Sequence, residues 1–358
     1  MCKRESAQHS IFCILPPHIL QSIAQNGTPQ QRSQALQHLG TDQTIRSLRA
    51  TQKLTAITQT RGPVPHAAEG HPQRTIYDTH HSSNQPGDIV RVEGAGPTSD
   101  VAVNEAYDGL GDTYNFYWNV YQRNSIDDEG LKLDATVHYR TGYDNAFWDG
   151  SAMVFGDGDG DLFNRFTISL DVIGHELTHG VTEDEAQLVY MYQPGALNES
   201  ISDVFGSLVK QFKLQQTADQ ADWLIGQGLL TTKVKGVALR SMKAPGTAYD
   251  DPVLGKDPQP AHMKNYVNTS QDNGGVHTNS GIPNHAFYLV GTKLGGFAWE
   301  KAGRIWYETI RDPRLRSTAS FRAFALLTVT NADRLYGHNG AERQAVKEAW
   351  NEVGITVS

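Results

Sequence analysis

The chain has 358 residues, of which 38% are hydrophobic and 20% charged, a balance typical of a globular protein large enough for two packed lobes. Its formal net charge of -8 argues against a surface that binds nucleic acid or an anionic membrane. No apolar run approaches the roughly 18 residues that a membrane span requires, so we expect neither nucleic acid nor membrane as a partner.

The two cysteines, Cys2 and Cys13, both lie near the start of the chain. They cannot staple the main body with disulfides, and a free cytosolic pair is the plainest interpretation. Whether Cys13 binds a metal as a latency switch stays open at this point. The early apolar run over residues 11–15 is shorter than the roughly 7 to 15 residues of a signal-peptide core, so we expect no classical signal peptide.

The first 50 residues contain the start and stop signals of a small helical unit. One short helix is predicted over residues 17–25, before the pair Asn26-Gly27. In the next helix, Thr28 is the expected N-cap and Gln31 completes a capping box with it. Gly40 stands where a helix commonly ends, and a third short helix is predicted after it.

Residues 51–74 predict a linker and the start of a mature chain, because apolar periodicity is weak there. Residues 75–190 alternate short β-type runs with Gly and Asp clusters, interrupted by a predicted helix over residues 101–122. Helical periodicity dominates residues 191–358, as in residues 341–353. We therefore predict an α+β fold with a β-rich N-terminal lobe and a mainly helical C-terminal lobe.

Residues 175–179 read His-Glu-Leu-Thr-His, which is the H-E-x-x-H pattern. Residues four apart lie on one face of a helix, so His175 and His179 can bind one zinc ion while Glu176 reaches a bound water. Taken alone, the same residues could be two exposed helical histidines. A structural context is needed before the pattern predicts a site.

That context comes twenty residues later, where Glu199 and Asp203 share a helical face. A catalytic zinc takes three protein ligands and keeps one position open for water, and Glu199 is the predicted third ligand. Asp203 is predicted to accept the second ring N–H of His175. Alone, such an acidic pair is more often a solvated helix face, but beside the two histidines it predicts a catalytic metal site.

With these residues the chain resembles the thermolysin family of metallopeptidases, the gluzincins, in which H-E-x-x-H is joined by the glutamate of N-E-x-x-x-D. Further matches stand in the family's order at residues 145–148, 156–160, 190, 239–242 and 272–277. The resemblance covers about residue 75 to the C-terminus. The short N-terminal unit, with Pro16 and Pro17, is similar to the compact propeptide of the protealysin subgroup. A two-lobed fold with one zinc ion in the cleft is implied.

The resemblance also implies the activity, which is hydrolysis of internal bonds in proteins and peptides. Glu176 would take a proton from the attacking water and pass it to the leaving nitrogen. Tyr190 and His277 would donate hydrogen bonds to the oxyanion, and Asp272 would orient the imidazole of His277.

Substrate-binding residues follow from the same resemblance. Asn145 and Ala146 would pair with an extended peptide, and Arg240 would bind the carbonyl of the residue after the cleaved bond. The pocket for that residue's side chain would be lined by Phe163, Phe166, Val172 and Leu239. These apolar side chains predict cleavage before bulky apolar residues.

A calcium site of many secreted members is depleted in this sequence. Asp171 and Asp222 remain, but Lys210, Leu224 and Gln227 stand where the calcium-binding enzymes carry glutamates. Without those carboxylates little attracts a hard cation. We expect Lys210 to pair with Asp171 instead, which would make stability largely indifferent to calcium at that site.

Asp157, Asp159 and Asp161 are similar to the start of a calcium loop. No glycine follows at the sixth position, and Ile168 replaces the closing glutamate. We predict a tight polar turn here.

Two hypotheses for the function remain. The first is a monomeric endopeptidase made as a precursor, whose N-terminal unit fills the cleft and is removed near residue 50. The second is a non-enzymatic zinc protein, which would not respond to replacement of Glu176. A zinc exopeptidase would need a group that captures a free peptide terminus, and none is evident. The family resemblance implies secretion, whereas the missing signal peptide leaves a cytoplasmic pool or non-classical export open.

Overall fold

The computed structural model describes residues 12–55 and 70–357, and for residues 12 and 43–55 it describes the backbone only. Cys2 and most of the predicted linker lie outside the described residues. The described part has the predicted α+β organisation, with a sheet in the first lobe and helices in the second. None of its helices combines the length and the apolar character needed to cross a membrane.

The first lobe is built on a six-stranded sheet. In chain order its strands are β1 (Phe12–Cys13), β2 (Arg74–Asp78), β3 (Asp88–Val92), β4 (Leu133–Val137), β5 (Ala146–Trp148) and β6 (Ala152–Phe155). Their order in space is β1-β5-β6-β4-β2-β3. The pairs β2–β4 and β4–β6 are parallel and the other pairs are antiparallel. The start of the chain therefore forms one edge of the sheet, next to β5.

Ten helices are described. They are α1 (Pro17–Asn26), α2 (Pro29–Thr55), α3 (Val101–Tyr121), α4 (Leu170–Glu185), α5 (Tyr192–Leu214), α6 (Asp272–Asn279), α7 (Gly281–Leu294), α8 (Ala302–Ile310), α9 (Phe321–Tyr336) and α10 (Ala341–Glu352). Two small hairpin-like sheets join β7 (Leu224–Ile225) to β8 (Arg240–Ser241) and β9 (Asp250–Asp251) to β10 (Gly255–Lys256). The core runs from the sheet through α3 to α4 and α5, and on to the C-terminal helices.

Local sequence explains the ends of the long helix α3. Asp100 Oδ1 accepts the backbone amides of Ala102 and Val103 at 2.8 and 3.2 Å, which is an N-cap. The helix ends at Gln122, whose left-handed φ of 58° reverses the chain. The bounds agree with the helix predicted over residues 101–122.

The predicted polar turn is also present. Asp159 Oδ1 accepts the backbone amides of Asp161, Leu162 and Phe163 at 2.9, 2.7 and 2.9 Å. One carboxylate thus closes the turn by satisfying three neighbouring donors.

The predicted break at Gly40 is wrong, because α2 continues through it to Thr55 and crosses the predicted boundary at residue 50. The capping box at the start is confirmed, with the Thr28 amide 2.8 Å from Gln31 Oε1. A glycine inside a helix costs only about 1 kcal/mol relative to alanine. Just beyond it, Asp42 accepts hydrogen bonds from the Tyr143 hydroxyl at 2.7 Å and from Asn145 Nδ2 at 3.1 Å. These tertiary contacts favour continuation of the helix.

A close helix crossing positions the site. A Cβ atom on Gly206 of α5 would lie 2.3 Å from the backbone oxygen of Asp171 on α4, and one on Gly174 would lie 3.1 Å from the Cα atom of Gly206. Only glycine allows the two backbones to approach this closely. The crossing brings the histidines of α4 against the acidic residues of α5.

Candidate active site

Three side chains converge where α4 meets α5. The Nε2 atoms of His175 and His179 lie 3.0 Å apart. The carboxylate oxygens of Glu199 lie 3.6 Å from His175 Nε2 and 3.5 Å from His179 Nε2. Bonds of about 2.0 to 2.1 Å in a tetrahedron would separate donor atoms by about 3.3 Å. All three side chains are buried, and their spacing suits one zinc ion.

The hydrogen bonds around these side chains fit a cation. His175 Nδ1 donates to Asp203 Oδ1 at 2.8 Å. His179 Nδ1 donates to Asn198 Oδ1 at 2.7 Å. Each ring therefore carries a lone pair on Nε2, and the two lone pairs face each other. Glu199 Oε2 is buried and accepts no hydrogen bond within the described part of the chain. Imidazole nitrogen and carboxylate oxygen are donors that zinc takes in catalytic sites.

Asp203 contacts His175 as predicted and is held by two further groups. Arg240 donates to both carboxylate oxygens, from Nε and Nη2, at 2.8 Å each. Asn284 Nδ2 also donates to it at 2.8 Å. Burial alone would raise the pKa of Asp203, but the charge of Arg240 and the hydrogen bond from His175 hold that pKa well below its usual range. Asp203 therefore stays ionised and fixes the ring of His175.

Glu176 lies in the same buried site, and its two carboxylate oxygens differ in their hydrogen bonding. Oε2 accepts the backbone amide of Trp148, in β5, at 2.9 Å. Oε1 is buried and has no hydrogen-bond partner within the described residues. Burial raises the pKa of Glu176 well above its ordinary value and the charge of Glu199 adds to this, whereas the Trp148 amide opposes it. One oxygen is thus anchored and the other is available to accept a proton.

His277 and Tyr190 place hydrogen-bond donors beside Glu199. His277 Nε2 lies 3.3 Å from the Tyr190 hydroxyl, which itself donates to Glu199 Oε1. His277 Nδ1 donates to Asp272 Oδ1 at 2.6 Å. The intervening residues 273–275 have left-handed φ angles of 50°, 86° and 77°, which fold Asp272 back onto the imidazole. Burial alone would lower the pKa of His277, but the charges of Asp272 and Glu199 raise it overall.

The chain's own N-terminal segment lies across this site. β1 pairs antiparallel with β5, and the Ile14 amide donates to the Ala146 carbonyl at 3.2 Å. The Leu15 amide donates to Asn145 Oδ1 at 3.1 Å. Arg240 Nη1 donates to the Ile14 carbonyl at 3.1 Å. All three residues predicted to bind the peptide backbone therefore contact this segment of the same chain.

Cys13 directs its carbonyl and its thiol to different places. The carbonyl accepts a hydrogen bond from His277 Nε2 at 3.2 Å. The buried side chain packs with Tyr139, Tyr143, Phe147 and Val154. Among the described residues, Cys13 is not part of the ligand group formed by His175, His179 and Glu199. The Cys13 thiol thus packs in this aromatic cluster.

The four residues predicted to line the side-chain pocket are all buried, at exposures of 0 or 1%: Phe163, Phe166, Val172 and Leu239. They belong to the same continuous apolar cluster as Ile14. The rings of Phe163 and Phe166 lie 6.1 Å apart, and Leu239 directly precedes the Arg240 that binds the Ile14 carbonyl. The four side chains are thus buried in the core that also buries Ile14.

Lys210 occupies the depleted acidic cluster. Its ammonium lies 2.7 Å from Asp171 Oδ2 and 2.9 Å from Asp222 Oδ1, and it donates to the Leu224 carbonyl at 2.8 Å. The predicted pair with Asp171 is confirmed. The chain itself thus supplies one positive charge between the two carboxylates.

Sequence reasoning missed several groups that orient the site. Asn198 and Ser202 are four residues apart on α5, and Ser202 Oγ lies 3.0 Å from His179 Nδ1. Their helical spacing, together with the position of Asn198 directly before Glu199, was a signal that could have identified them. The Trp148 amide and Asn284 come from distant elements, so no local pattern could have indicated them.

Comparisons with known proteins agree with this geometry. The family model described as "Thermolysin metallopeptidase, catalytic domain" matches residues 38–183, and "Thermolysin metallopeptidase, alpha-helical domain" matches residues 186–355. The chain is 53% identical over 349 residues to an "Extracellular metalloprotease" of Pectobacterium carotovorum subsp. carotovorum, covering 97% of each chain. It is 50% identical over 346 residues to "Protease PrtS" of Photorhabdus sp. (strain Az29), covering 96% of this chain and 92% of the relative.

Among solved structures, the precursor of protealysin, a metalloproteinase from Serratia proteamaculans, superimposes with a TM-score of 0.88 at 53% sequence identity. The match covers 96% of this chain and all of the other. The three buried ligand residues occupy the H-E-x-x-H helix and the helix after it, as the resemblance implied. The chain therefore belongs to the thermolysin family of zinc metallopeptidases.

Proposed function

We propose that the protein is an endopeptidase that hydrolyses internal peptide bonds and is made as a self-inhibited precursor. The observation that carries this proposal is the extended segment bound beside the three ligand residues and Glu176. Its Ile14 amide donates to the Ala146 carbonyl of β5 and its Ile14 carbonyl accepts from Arg240, which is how an extended peptide substrate would be held beside a strand.

Zinc held by His175, His179 and Glu199 would acidify a water molecule and polarise the peptide carbonyl. Glu176 accepts the proton of the attacking water on its available oxygen. The water oxygen bonds to the carbonyl carbon, the C–N bond breaks, and Glu176 returns the proton to the departing nitrogen.

His277 and Tyr190 stabilise the negative charge that develops on the carbonyl oxygen. The hydrogen bond from His277 Nε2 to the Cys13 carbonyl supports this role, because that carbonyl lies where a substrate carbonyl would lie. Asp272 keeps the imidazole charged and oriented.

Cleavage is proposed to precede bulky apolar residues. The apolar surface of Phe163, Phe166, Val172 and Leu239 supports this preference, as does the fully buried Ile14 whose carbonyl is bound by Arg240. Each apolar side chain buried in such a pocket contributes about 1.5 to 3 kcal/mol.

The N-terminal segment is proposed to be a propeptide, which inhibits the enzyme until it is cut away near residue 50. Contacts of residues 13–15 with Arg240, Asn145 and His277 support it, since a substrate would need the same groups. The precursor state named for the Serratia structure is consistent with this. We also propose that the protein is secreted, because the Pectobacterium relative is named extracellular, and that it is a monomer, as expected from the sequence.

Lys210 is proposed to replace calcium in the depleted acidic cluster. Its ion pairs with Asp171 and Asp222 support this proposal, because they already neutralise charge that a calcium ion would neutralise.

The test compares Glu176→Gln with Glu129→Gln, the same change at an exposed loop position. Glu176→Gln should abolish cleavage of an internally quenched peptide while retaining the zinc content of the wild type by elemental analysis. Glu129→Gln should retain both. Mass spectrometry of the products should show internal cuts. A Glu176→Gln variant as active as the wild type would refute the role of Glu176, and an inactive wild-type chain with bound zinc, after removal of its N-terminal segment, would favour a non-enzymatic zinc protein.

A further inference from the structure

A second group of metal-binding side chains lies at the ends of β2 and β4. We infer that His81, His138 and Asp157 form a second metal site, selective for zinc or a similar transition-metal ion. It shares no residue with the catalytic site, and no part of the proposed reaction uses it. The three donor atoms lie within 4.8 Å of one another.

The backbone brings the two imidazoles together. β2 and β4 are adjacent parallel strands, so the loops that follow them leave the sheet side by side. The His81 amide donates to the His138 carbonyl at 3.0 Å, and the Thr79 hydroxyl donates to the same carbonyl at 2.7 Å. The ring centroids of His81 and His138 are 5.4 Å apart as a result.

The distances from Asp157 to the two histidines are close to those of a zinc site. His138 Nδ1 lies 2.9 Å from both oxygens of Asp157, and His81 Nδ1 lies 3.4 Å from Asp157 Oδ2. Tetrahedral zinc separates its donors by about 3.3 Å. In the catalytic site the corresponding separations run from 3.0 to 3.6 Å. The two separations from Asp157 therefore lie near those of a zinc site, and the donor atoms of His81 and His138 lie within 4.8 Å of each other.

A further carboxylate orients one of the ligands. His138 Nε2 donates to Asp100 Oδ2 at 2.9 Å, and the other oxygen of Asp100 is fixed by its N-cap bonds to α3. This is the carboxylate–histidine arrangement that Asp203 and His175 form in the catalytic site. Without an ion, the same contacts are salt bridges of His138, so the geometry is maintained while the site is open.

The donor atoms indicate which ion the site would bind, and their exposure indicates how tightly. The His81 and Asp157 side chains are 56% and 26% exposed, so solvent water can complete the coordination. Two imidazoles and one carboxylate favour zinc, nickel or copper over calcium or magnesium, which prefer oxygen ligands. We expect weaker binding than at the buried catalytic site.

The experiment uses isothermal titration calorimetry. Zinc is titrated into the full-length, tag-free chain that already holds its catalytic zinc. The Glu176→Gln background keeps the chain intact. His81→Ala should weaken the second zinc at least tenfold. His80→Ala is the matched control, because the adjacent His80 is exposed and contacts Asp78 and Asp88 instead.

Elemental analysis after dialysis against dilute zinc should give two zinc ions per chain for the parent and His80→Ala, and one for His81→Ala. Circular dichroism should show the same fold in all three, since His81 is exposed. A parent chain that binds only one zinc would overturn the inference. Equal weakening by His80→Ala and His81→Ala would also overturn it, because binding would then not depend on this group.

Discussion

Replacing Ile14 by alanine should open the cleft of the intact precursor. The Ile14 side chain is fully buried, while its backbone hydrogen bonds to Ala146 and Arg240 would be unaffected by the change. Truncation of a buried isoleucine to alanine costs about 2 to 5 kcal/mol. A value of about 2.5 kcal/mol at this position would make the closed state roughly 60-fold less favourable relative to the open one.

The assay uses the Glu176→Gln chain, which should bind a peptide without cutting it or itself. Binding of a fluorescent peptide is followed by anisotropy, and the apparent Kd should fall by up to about 60-fold, because it scales inversely with the open fraction. Leu36→Ala is the control, since Leu36 lies on α2 of the same N-terminal unit but is 61% exposed. Equal affinities for the Ile14→Ala and Leu36→Ala chains would refute the reasoning that Ile14 holds the segment in the cleft.

Three further changes test the interior. Lys210→Met leaves the buried Asp171 without its cation and should cost about 3 to 5 kcal/mol in urea unfolding, whereas Lys213→Met, at a 53% exposed ion pair, should cost at most about 1 kcal/mol. Lys210→Glu should make the melting temperature rise with added calcium, and an equal calcium response in the wild type would contradict the proposed replacement. Burial raises the pKa of Asp144 from 3.8 to about 6, partly offset by His38, so an ionised Asp144 destabilises the fold. Above pH 6 the wild type should therefore have a free energy of unfolding up to about 3 kcal/mol lower than that of Asp144→Asn. This difference should disappear as the pH falls towards 4. A difference that is independent of pH would contradict the reasoning.

Short-range patterns predicted those parts of the molecule whose geometry is set within one helix or one turn. The four-residue spacing of His175 and His179 fixes their common face whatever surrounds the helix. The capping box at Thr28 and the carboxylate turn at Asp159 formed as predicted, because each satisfies backbone amides within a few residues. The predicted helix end at Gly40 was wrong because the small local penalty of a helical glycine was outweighed by contacts of Asp42 with Tyr143 and Asn145 in the first lobe.

The sequence by itself identified the three candidate zinc ligands, the proposed proton acceptor Glu176 and the pairing of Lys210 with Asp171, since residue types and spacings carry that information. Tertiary structure alone decided which oxygen of Glu176 is anchored, because its partner is a backbone amide of Trp148, and every residue has such an amide. It also decided that residues 13–15 complete the sheet edge beside the ligands, and that His81 meets His138. Contacts between distant segments depend on how strands and helices stack, and no short-range pattern encodes that arrangement.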